Sequence, residues 1–312
     1  MLYPPQKSKI LTMNQIFTTN PEAKQALIQL VVDSVDSPHT KRAYRRAIGD
    51  FIDWFTSQST NQLNKAIVQR YKAFLMASGM GAATINQRLS AIRKLVQEAA
   101  DNGALDWQFA TTVIRVKGIK QTGQRLGLWL TEAETKQLLN APDLTTLKGR
   151  RDRALLSVLV GCGLRRVEAC SLTFNHIQKR DGRFMILDLV GKRGRIRSIP
   201  MPRFTKRAID VYAQDAGLSD GNVFHSVNRW DQLQYDHLSP QTVRRVVVAY
   251  GRQIGHPDLA PHDLRRTCAK LMRKKGAKLE EIQTILGHES IDTTRRYLGP
   301  LDDFDNPLDD LF

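Results

Sequence analysis

Residues 261–297 read PHDLRRTCAKLMRKKGAKLEEIQTILGHESIDTTRRY, and they contain the clearest helix boundaries in the chain. Proline is typical of the first turn of a helix, so Pro261 predicts a helix that begins there. His262 and Arg265 are three positions apart and therefore share one face of that helix. A titratable and a basic side chain are thus predicted to lie next to each other.

The end of the same stretch predicts two more short helices. Gly287 is placed to end a helix over 279–286, and Ser290 is placed to begin the next one. His288 therefore falls in the turn between these helices, and Tyr297 falls within the second.

Upstream of this stretch the chain mixes helix and strand patterns. Thr131, followed by Glu134, is typical of a helix start. Two apolar runs flank a glycine-rich turn that carries Lys192, which predicts a β-hairpin with a lysine at its tip. From Thr205 onward the pattern is again mostly helical. The elements predicted here are helices over 152–160 and 167–172 and strands over 183–190 and 196–200.

The N-terminal third has a purely helical pattern. Ser37 followed by Pro38 is typical of a helix N-terminus, and apolar residues then recur at helical spacing through three predicted helices. Periodicity is absent before Pro21 and after Gly103. The sequence therefore predicts a flexible arm over 1–20, a helical domain over 21–103, a basic linker over 104–127, a mixed domain over 128–298 and an acidic tail over 299–312.

The charge of the chain indicates a polyanionic partner. Lys and Arg number 47 against 31 Asp and Glu, a formal net charge of +16. Residues 1–127 carry +9 and residues 128–300 carry +12, whereas residues 301–312 carry −5. Because both body segments are basic, one nucleic acid could contact both, with salt-sensitive affinity. The alternative is a basic protein with no such partner.

Composition narrows the class of protein. With 41% hydrophobic and 25% charged residues, the chain is globular in composition. No apolar run reaches the roughly 18 residues of a membrane helix, and the first residues lack the apolar core of a secretory signal. Cys162, Cys170 and Cys268 have no zinc-site spacing, so we expect reduced thiols in a cytoplasmic protein without a membrane partner.

Four motifs supply groups that suit phosphate chemistry. They are Gly163-Leu164-Arg165-x-x-Glu168, Gly191-Lys192-x-Gly194, His262-x-Leu264-Arg265 and Leu286-Gly287-His288 followed nine residues later by Tyr297. Guanidinium groups grip the oxygens of a phosphate with forked hydrogen bonds, a lysine or histidine moves protons, and a tyrosine hydroxyl can form a covalent intermediate. Each group alone is typical of a surface, turn, cap or core residue. Their order and spacing make the functional interpretation the stronger one.

In that order and spacing, these residues resemble the tyrosine recombinases, the phage-integrase-like site-specific DNA recombinases. The resemblance covers nearly the whole chain, because the helices around Thr40–Tyr44 and over 84–99 are similar to the family's core-binding domain. The sequence departs from the family's motifs at two positions: Arg166 lies where the family usually has an apolar residue, and Arg193 lies where it usually has a glycine. Neither departure removes a catalytic group. All four motifs match those of the family, in the same order along the chain.

The resemblance implies a mostly α fold: a helical, SAM-like core-binding domain followed by an α+β catalytic domain with a small antiparallel sheet, forming a C-shaped clamp on DNA. It also implies cutting and rejoining of DNA through a 3′-phosphotyrosyl intermediate and a Holliday junction, without metal, ATP or another cofactor. Glu168 would position its neighbours. The implied roles are Tyr297 as nucleophile, Arg165 and Arg265 as clamps on the nonbridging oxygens, Lys192 as acid for the leaving oxygen, His262 as base and His288 as hydrogen-bond donor.

The partners implied by the resemblance are double-stranded DNA with an inverted-repeat core site and further copies of the chain. We expect a homotetramer on paired sites, a monomer or weak oligomer when free, a bacterial cytoplasmic location and a role in moving or resolving mobile DNA. The acidic tail would pack on a neighbouring protomer. The alternative is that it is only a frayed acidic end. The basic side chains expected to contact DNA are Lys41, Arg42, Arg45, Arg88, Arg93, Lys94, Lys117 and Lys120.

Three other functions use parts of the same pattern. A type IB topoisomerase shares the chemistry but relaxes supercoils without exchanging strands. A non-catalytic DNA-binding protein could use the helix-turn-helix-like pattern of 279–297, and it predicts that Tyr297→Phe changes nothing. A metal-dependent nuclease or transposase needs a carboxylate cluster and is sensitive to a chelator.

Overall fold

The computed structural model describes residues 21–58, 63–120, 127–191 and 194–299. The chain divides into two compact units, Met1–Gly123 and Gln124–Phe312. Both are built mainly of helices, and the second adds small antiparallel sheets. The expected mostly α fold class is confirmed.

The first unit is a helical bundle around an apolar core. Ser37 precedes the second helix in extended conformation with proline after it, as predicted, although its side chain makes no capping hydrogen bond. The stripe of that helix is buried, with Ile48, Phe51 and Phe55 at most 1% exposed. The helices are α1 Pro21–Asp33, α2 Pro38–Thr56, α3 Lys65–Ala77, α4 Ala82–Asp101 and α5 Trp107–Ile114.

Helix α5 corrects the expectation of an irregular linker over 104–127. The side chain of Asp106 accepts a hydrogen bond from the Phe109 backbone N–H and so begins the helix. Ala110 and Val113 are fully buried. With eight residues, α5 is too short for its apolar spacing to stand out in the sequence. This part of the segment therefore belongs to the first unit.

The second unit is organised around one buried helix, α7 Leu147–Gly161, in which every residue from 154 to 160 is buried. It packs against α6, α9 and α11. It begins earlier than predicted, because the Thr146 side chain accepts a hydrogen bond from the Gly149 backbone N–H. Both oxygens of the Asp231 carboxylate also accept hydrogen bonds from its first backbone N–H groups, at 2.7 and 2.8 Å. The other helices are α6 Glu132–Asn140, α8 Arg166–Cys170, α9 Arg203–Ala216, α10 Pro240–Gln253, α11 Pro261–Lys274, α12 Leu279–Leu286 and α13 Ile291–Leu298.

A three-stranded antiparallel sheet in the order β1-β2-β3 contains the predicted hairpin. Its strands β2 and β3 have the predicted bounds, and the sequence pattern missed β1 and the separate β4–β5 pair. The reason is that β1 is a polar edge strand and β4 has only three residues, so neither shows a clear alternation. The strands are β1 Ile177–Arg180, β2 Arg183–Val190, β3 Ile196–Pro200, β4 His225–Val227 and β5 Leu233–His237.

Four helix ends that the sequence predicts in the second unit are confirmed. Pro261 lies in the first turn of α11, Thr131 forms a capping box with Glu134, and Gly287 ends α12 in the left-handed conformation with φ +59°. The Ser290 side chain accepts a hydrogen bond from the Thr293 backbone N–H at the start of α13. Within the described ranges, no helix is long and apolar enough to cross a membrane.

Candidate active site

Five of the six expected catalytic side chains lie on neighbouring elements of the second unit. Arg165 immediately precedes α8, and His262 and Arg265 lie on the first turns of α11. His288 follows the end of α12, and Tyr297 lies on α13. The sixth, Lys192, lies outside the described residues.

Tyr297 occupies the centre of this group and is 9% exposed. Its hydroxyl donates a hydrogen bond to the backbone carbonyl oxygen of His262, at 3.0 Å. Burial raises the pKa of Tyr297 to about 12, against the opposing effect of the nearby Arg265 and Arg266. The hydroxyl is therefore protonated at neutral pH and needs a proton acceptor before it can attack.

Two histidine rings pack against the Tyr297 ring in T-shaped arrangements. Each ring centroid lies 5.1 Å from that of Tyr297, at interplanar angles of 81° for His262 and 74° for His288. Burial, followed by nearby arginines, lowers the pKa of His262 and lowers that of His288 to about 4. Both rings are therefore neutral at pH 7. His288 Nδ1 lies 3.0 Å from Thr294 Oγ1, which fixes the orientation of that ring.

Arg265 is 1% exposed, so a phosphate reaches this guanidinium only when a covering group moves. Its Nη1 and Nη2 donate hydrogen bonds to the backbone carbonyl oxygens of Gly163 and Leu286. Burial and the charge of Arg165 lower the pKa of Arg265 to about 10, which still leaves it charged at pH 7. The residue thus joins α11 to the Gly163 turn and the end of α12.

Arg165 is held by Glu168, a buried carboxylate. Glu168 accepts hydrogen bonds of 2.8 Å from both the backbone N–H and the guanidinium of Arg165. It also accepts two from Arg197 on β3, at 3.0 and 2.8 Å. Burial alone would raise the pKa of Glu168, but the bonds from Arg197 and then Arg165 lower it to about 2. The carboxylate therefore stays charged and orients two arginines.

Sequence reasoning did not single out Arg197, although a signal for it exists. In β3 the even and odd positions alternate in burial, and Arg197 shares the buried face with Ile199. An arginine on the inward face of a strand needs a carboxylate partner, and Glu168 was already part of a motif. Arg197 Nε also donates to the backbone oxygen of Ile285 at 2.9 Å, which ties β3 to α12.

The stem of the lysine hairpin lies beside this ion pair. A Cβ on Gly191 would lie 2.8 Å from Arg197 Nη1 and 3.2 Å from Glu168 Oε1. Next to it is a cavity of about 390 Å³ whose lining includes Arg165, Arg195, Arg197 and His288. Arginine and histidine groups thus surround a volume large enough for a phosphate group.

The cysteines of the unit are free thiols. Cys162 and Cys268 are buried and all three cysteines are free; burial raises the pKa of Cys268 to about 12, so it stays a thiol. Across the ranges that the structure describes, no group of three or more histidine, cysteine, aspartate and glutamate side chains could hold a metal ion.

The expected DNA-contacting residues of the first unit separate into surface and internal groups. Arg88 is buried at 9% exposure and pairs with Asp50 at 2.7 Å and with the Tyr71 hydroxyl at 3.2 Å, so it does not lie on the surface, where a DNA-contacting side chain was expected. Arg93 donates to the Val116 backbone oxygen and is half-buried. Lys94 is half-buried and pairs with Glu98 at 2.6 Å. Lys41 is half-buried, and the exposed members of the set are Arg42, Arg45, Lys117 and Lys120.

Comparisons with known proteins identify a family that shares this sequence pattern. The pattern of the phage integrase family matches residues 128–302, and that of the phage integrase N-terminal SAM-like domain matches residues 24–103. Tyrosine recombinase XerC of Pelotomaculum thermopropionicum is 27% identical over 87% of this chain and 90% of its own length. Tyrosine recombinase XerD of Pseudomonas putida is 27% identical over 89% of this chain and 92% of its own length.

Two solved structures share the fold. A XerH site-specific recombinase bound to palindromic difH substrate superposes with a TM-score of 0.68 at 19% identity, covering 86% of this chain and 77% of that one. A lambda integrase dimer bound to a COC′ core site gives 0.68 at 17% identity, covering 90% and 95%. Because the family pattern matches more than half of the chain, this protein belongs to the phage integrase family, the tyrosine recombinases, which are site-specific DNA strand-transferring enzymes.

Proposed function

We propose that this chain cuts and rejoins double-stranded DNA at a specific site, with Tyr297 as the nucleophile. The observation that carries the proposal is that the Tyr297 ring lies against the rings of two neutral histidines, while Arg165 and Arg197 line a cavity that one of them, His288, also lines. A phosphodiester seated in that cavity would meet guanidinium groups that stabilise the charge of a pentavalent transition state.

In the cleavage step, the Tyr297 oxygen attacks the scissile phosphorus and its proton passes to His262. The bond from phosphorus to the 5′ oxygen breaks, and that oxygen leaves as a hydroxyl after accepting a proton from Lys192. The product is a 3′-phosphotyrosyl enzyme that retains a phosphodiester linkage. Attack by the free 5′-hydroxyl of a partner strand reverses the step and yields a Holliday junction.

The arginines and His288 act on the phosphate. Arg165, whose side chain is 32% exposed, grips a nonbridging oxygen directly. Arg265 clamps the phosphate once the buried site opens, and its charge already acts across the site. His288, oriented by Thr294, donates a hydrogen bond to the other nonbridging oxygen. Glu168 positions Arg165 and does not take part in the chemistry.

The DNA partner is a core site with inverted repeats, on which four copies of the chain assemble. The basic charge of the chain and the DNA-bound XerH and lambda integrase structures support this partner. Exposed Arg42, Arg45, Lys117 and Lys120 supply sequence-independent phosphate contacts.

The tail over 299–312, which lies outside the described residues except for Gly299, packs on a neighbouring copy in this proposal. The second unit offers an apolar groove of about 560 Å³ whose lining includes Leu139, Phe204, Leu271 and Met272 together with Lys136, Arg153 and Lys275. The tail carries five aspartates among leucine and phenylalanine residues. Its charge therefore complements Arg153 and the two lysines, which in the described chain pair with Glu132. Deleting residues 301–312 should abolish cooperative assembly on paired sites and leave binding of one copy unchanged.

The test of the proposed function is the covalent intermediate itself. Wild type and Tyr297→Phe are expressed in bacterial cells, DNA that stays bound to protein in SDS is recovered, and its ends are sequenced. We expect ends clustered at one repeated sequence that require Tyr297. Equal recovery from both proteins would overturn the proposal in favour of a binding protein, and an adduct without exchange between two sites would favour a relaxing enzyme.

A further inference from the structure

Arg266 contacts the Tyr297 residue at two points, although it belongs to none of the motifs that carry the family resemblance. Its guanidinium carbon lies 4.9 Å from the centroid of the Tyr297 ring. Its Nε donates a hydrogen bond of 3.2 Å to the Tyr297 backbone oxygen. One side chain thus holds both the ring and the main chain of the proposed nucleophile.

The guanidinium of Arg266 also lies against Gly127. Gly127 has φ +68°, and a Cβ at this position would lie 1.4 Å from Arg266 Nη1. Asp263, one turn earlier on α11, lies 3.8 Å from the same nitrogen. Only 13% of the Arg266 side chain is exposed, so these neighbours fix its position.

Gly127 begins a segment that the same face of α11 holds at two further points. The Leu130 backbone N–H donates to Thr267 Oγ1 at 2.9 Å. The Lys270 ammonium lies 4.1 Å from the centroid of the Trp129 ring. Residues 127–130 are therefore attached to α11, and Arg266 is the contact that continues from this segment to Tyr297.

We propose that Arg266 is a positioning residue for Tyr297. Fixed by Gly127 and Asp263, its guanidinium holds the ring and the backbone oxygen of Tyr297 next to the two histidine rings. The inference rests on the proposed function of Tyr297 as nucleophile. A displacement of about 1 Å in a reacting group lowers a rate by about 100-fold, so a residue that fixes both ring and backbone has a large effect without touching DNA.

The charge of Arg266 adds an electrostatic effect that can be measured separately. It opposes protonation of His262 and lowers the pKa of that ring, after burial. Replacing Arg266 by a neutral residue should therefore raise the pKa of His262, whereas lysine should leave it nearly unchanged. The charged and titratable groups that face Tyr297 and His262 are Arg165, Arg265, Arg266, Asp263, Cys268 and His288.

The first test compares Arg266→Gln and Arg266→Lys with wild type in single-turnover cleavage of a nicked suicide duplex. The duplex carries the DNA site that the covalent-adduct experiment identifies. We expect Arg266→Gln to lower the rate by about 10- to 100-fold, with DNA affinity unchanged and the acid limb of the pH profile shifted to higher pH. Arg266→Lys should restore the pH limb but only part of the rate, because it lacks Nε.

The second test acts on Arg266 without changing it. Gly127→Ala places a methyl group where the guanidinium lies, so it should slow cleavage as Arg266→Gln does. The double variant should be no slower than the slower single variant, because both changes disrupt one contact. Arg252→Gln, an exposed change on α10, is the matched control and should cleave at the wild-type rate.

Hydrogen exchange separates this inference from the proposed function. Loss of Arg266 should speed exchange of the α13 backbone amides, in a measurement that needs no cleavage. Suppose that exchange is faster in the Arg266 variant but that the wild type forms no Tyr297 adduct with DNA. The role of Tyr297 as nucleophile would then be overturned, and the positioning role of Arg266 would stand. Unchanged exchange and cleavage in Arg266→Gln, or rate losses that multiply in the double variant, would overturn the positioning role.

Discussion

Arg197 and Glu168 form a forked ion pair inside the second unit, with nitrogen–oxygen distances of 3.0 and 2.8 Å. Their side chains are 7% and 4% exposed. The same carboxylate holds Arg165 at 2.8 Å, and Arg165 lines the cavity proposed for the phosphate. The placement of a proposed phosphate clamp therefore depends on a buried ion pair.

Glu168→Gln should destabilise the protein and slow cleavage. The amide keeps the size of the side chain but leaves Arg197 buried without a counter-charge, which costs about 3–5 kcal/mol. Urea unfolding at pH 7 measures the loss. Glu289→Gln is the control, because Glu289 pairs with Arg195 at 3.1 Å on the surface and such a pair contributes about 1 kcal/mol or less. Equal losses in the two variants would contradict this account.

The same carboxylate predicts a pH dependence of stability. The pKa of Glu168 is lowered to about 2 in the folded protein from an ordinary value of 4.5. Its contribution is therefore complete above pH 4.5 and is lost as the pH falls towards 2. Between pH 5 and pH 3, the wild-type melting temperature should fall more steeply than that of Glu168→Gln. Parallel curves would show that the ion pair does not stabilise the fold.

Two glycines that end helices provide a matched pair of substitutions. Gly287 and Gly217 both have positive φ, +59° and +64°, but a Cβ on Gly287 would lie 2.9 Å from Arg197 Cδ, whereas Gly217 has nothing within 4 Å. Gly217→Ala should cost only the left-handed strain of about 1–2 kcal/mol. Gly287→Ala should cost about 1–3 kcal/mol more, because hydrogen bonds to Glu168 and Ile285 prevent Arg197 from moving away.

Activity should separate these two glycines further. Gly287 directly precedes His288, so its substitution displaces both Arg197 and that histidine, and the cleavage rate should fall. Gly217→Ala should cleave DNA at the wild-type rate at 25 °C. Urea unfolding and single-turnover cleavage measure the two effects, and a wild-type rate in Gly287→Ala would show that Arg197 is not needed in its present position.

The pH–rate profile should show an acid limb set by His262. Burial and then the charges of Arg266 and Arg265 lower the pKa of this ring below 6.5, so the neutral base persists at pH values where a free histidine is half protonated. The pH of half-maximal cleavage on the acid side should therefore lie below 6.5. Single-turnover cleavage between pH 4.5 and 8 measures the limb. His262→Ala should lower the rate and remove this limb; a limb at or above pH 6.5 in wild type would contradict the assignment.

Local sequence patterns predicted the helix ends near the site because each end depends on one or two residues. Pro261, Gly287 and Ser290 act through their own backbone or side chain, and the structure places each where the pattern did. The two strands of the lysine hairpin were equally readable. The structure adds that Arg165, His262 and Tyr297 converge, which spacing along the chain alone does not determine.

Contacts between distant residues account for what the sequence pattern missed. Asp231 accepts hydrogen bonds from the first N–H groups of α7, 84 and 83 positions away, in addition to the local cap Thr146. Arg197 contacts Glu168 across 29 positions. Arg88 resembled a surface arginine because its helix carries other basic residues, yet its partner Asp50 lies on a different helix. Charge type alone does not distinguish a buried ion pair from a DNA contact.

The first unit offers a direct test of that distinction. Arg88→Gln removes a buried bond to Tyr71 and an ion pair to Asp50, whose side chain is 42% exposed and can be rehydrated. It should cost about 1–3 kcal/mol of stability and leave the salt dependence of DNA binding unchanged. Arg42→Gln and Arg45→Gln are exposed, so each should leave the melting temperature nearly unchanged.

Salt titration of DNA binding distinguishes the two groups. Each phosphate contact contributes about 0.9 to the slope of log affinity against log salt concentration, so the Arg42→Gln and Arg45→Gln variants should each lose about one unit of slope if they lose one contact. Measurements are made below the melting temperature of Arg88→Gln, so that only folded protein is compared. A buried and paired guanidinium releases no counterions from DNA. If Arg88→Gln reduces the slope and leaves the free energy of unfolding unchanged, Arg88 is a DNA contact after all.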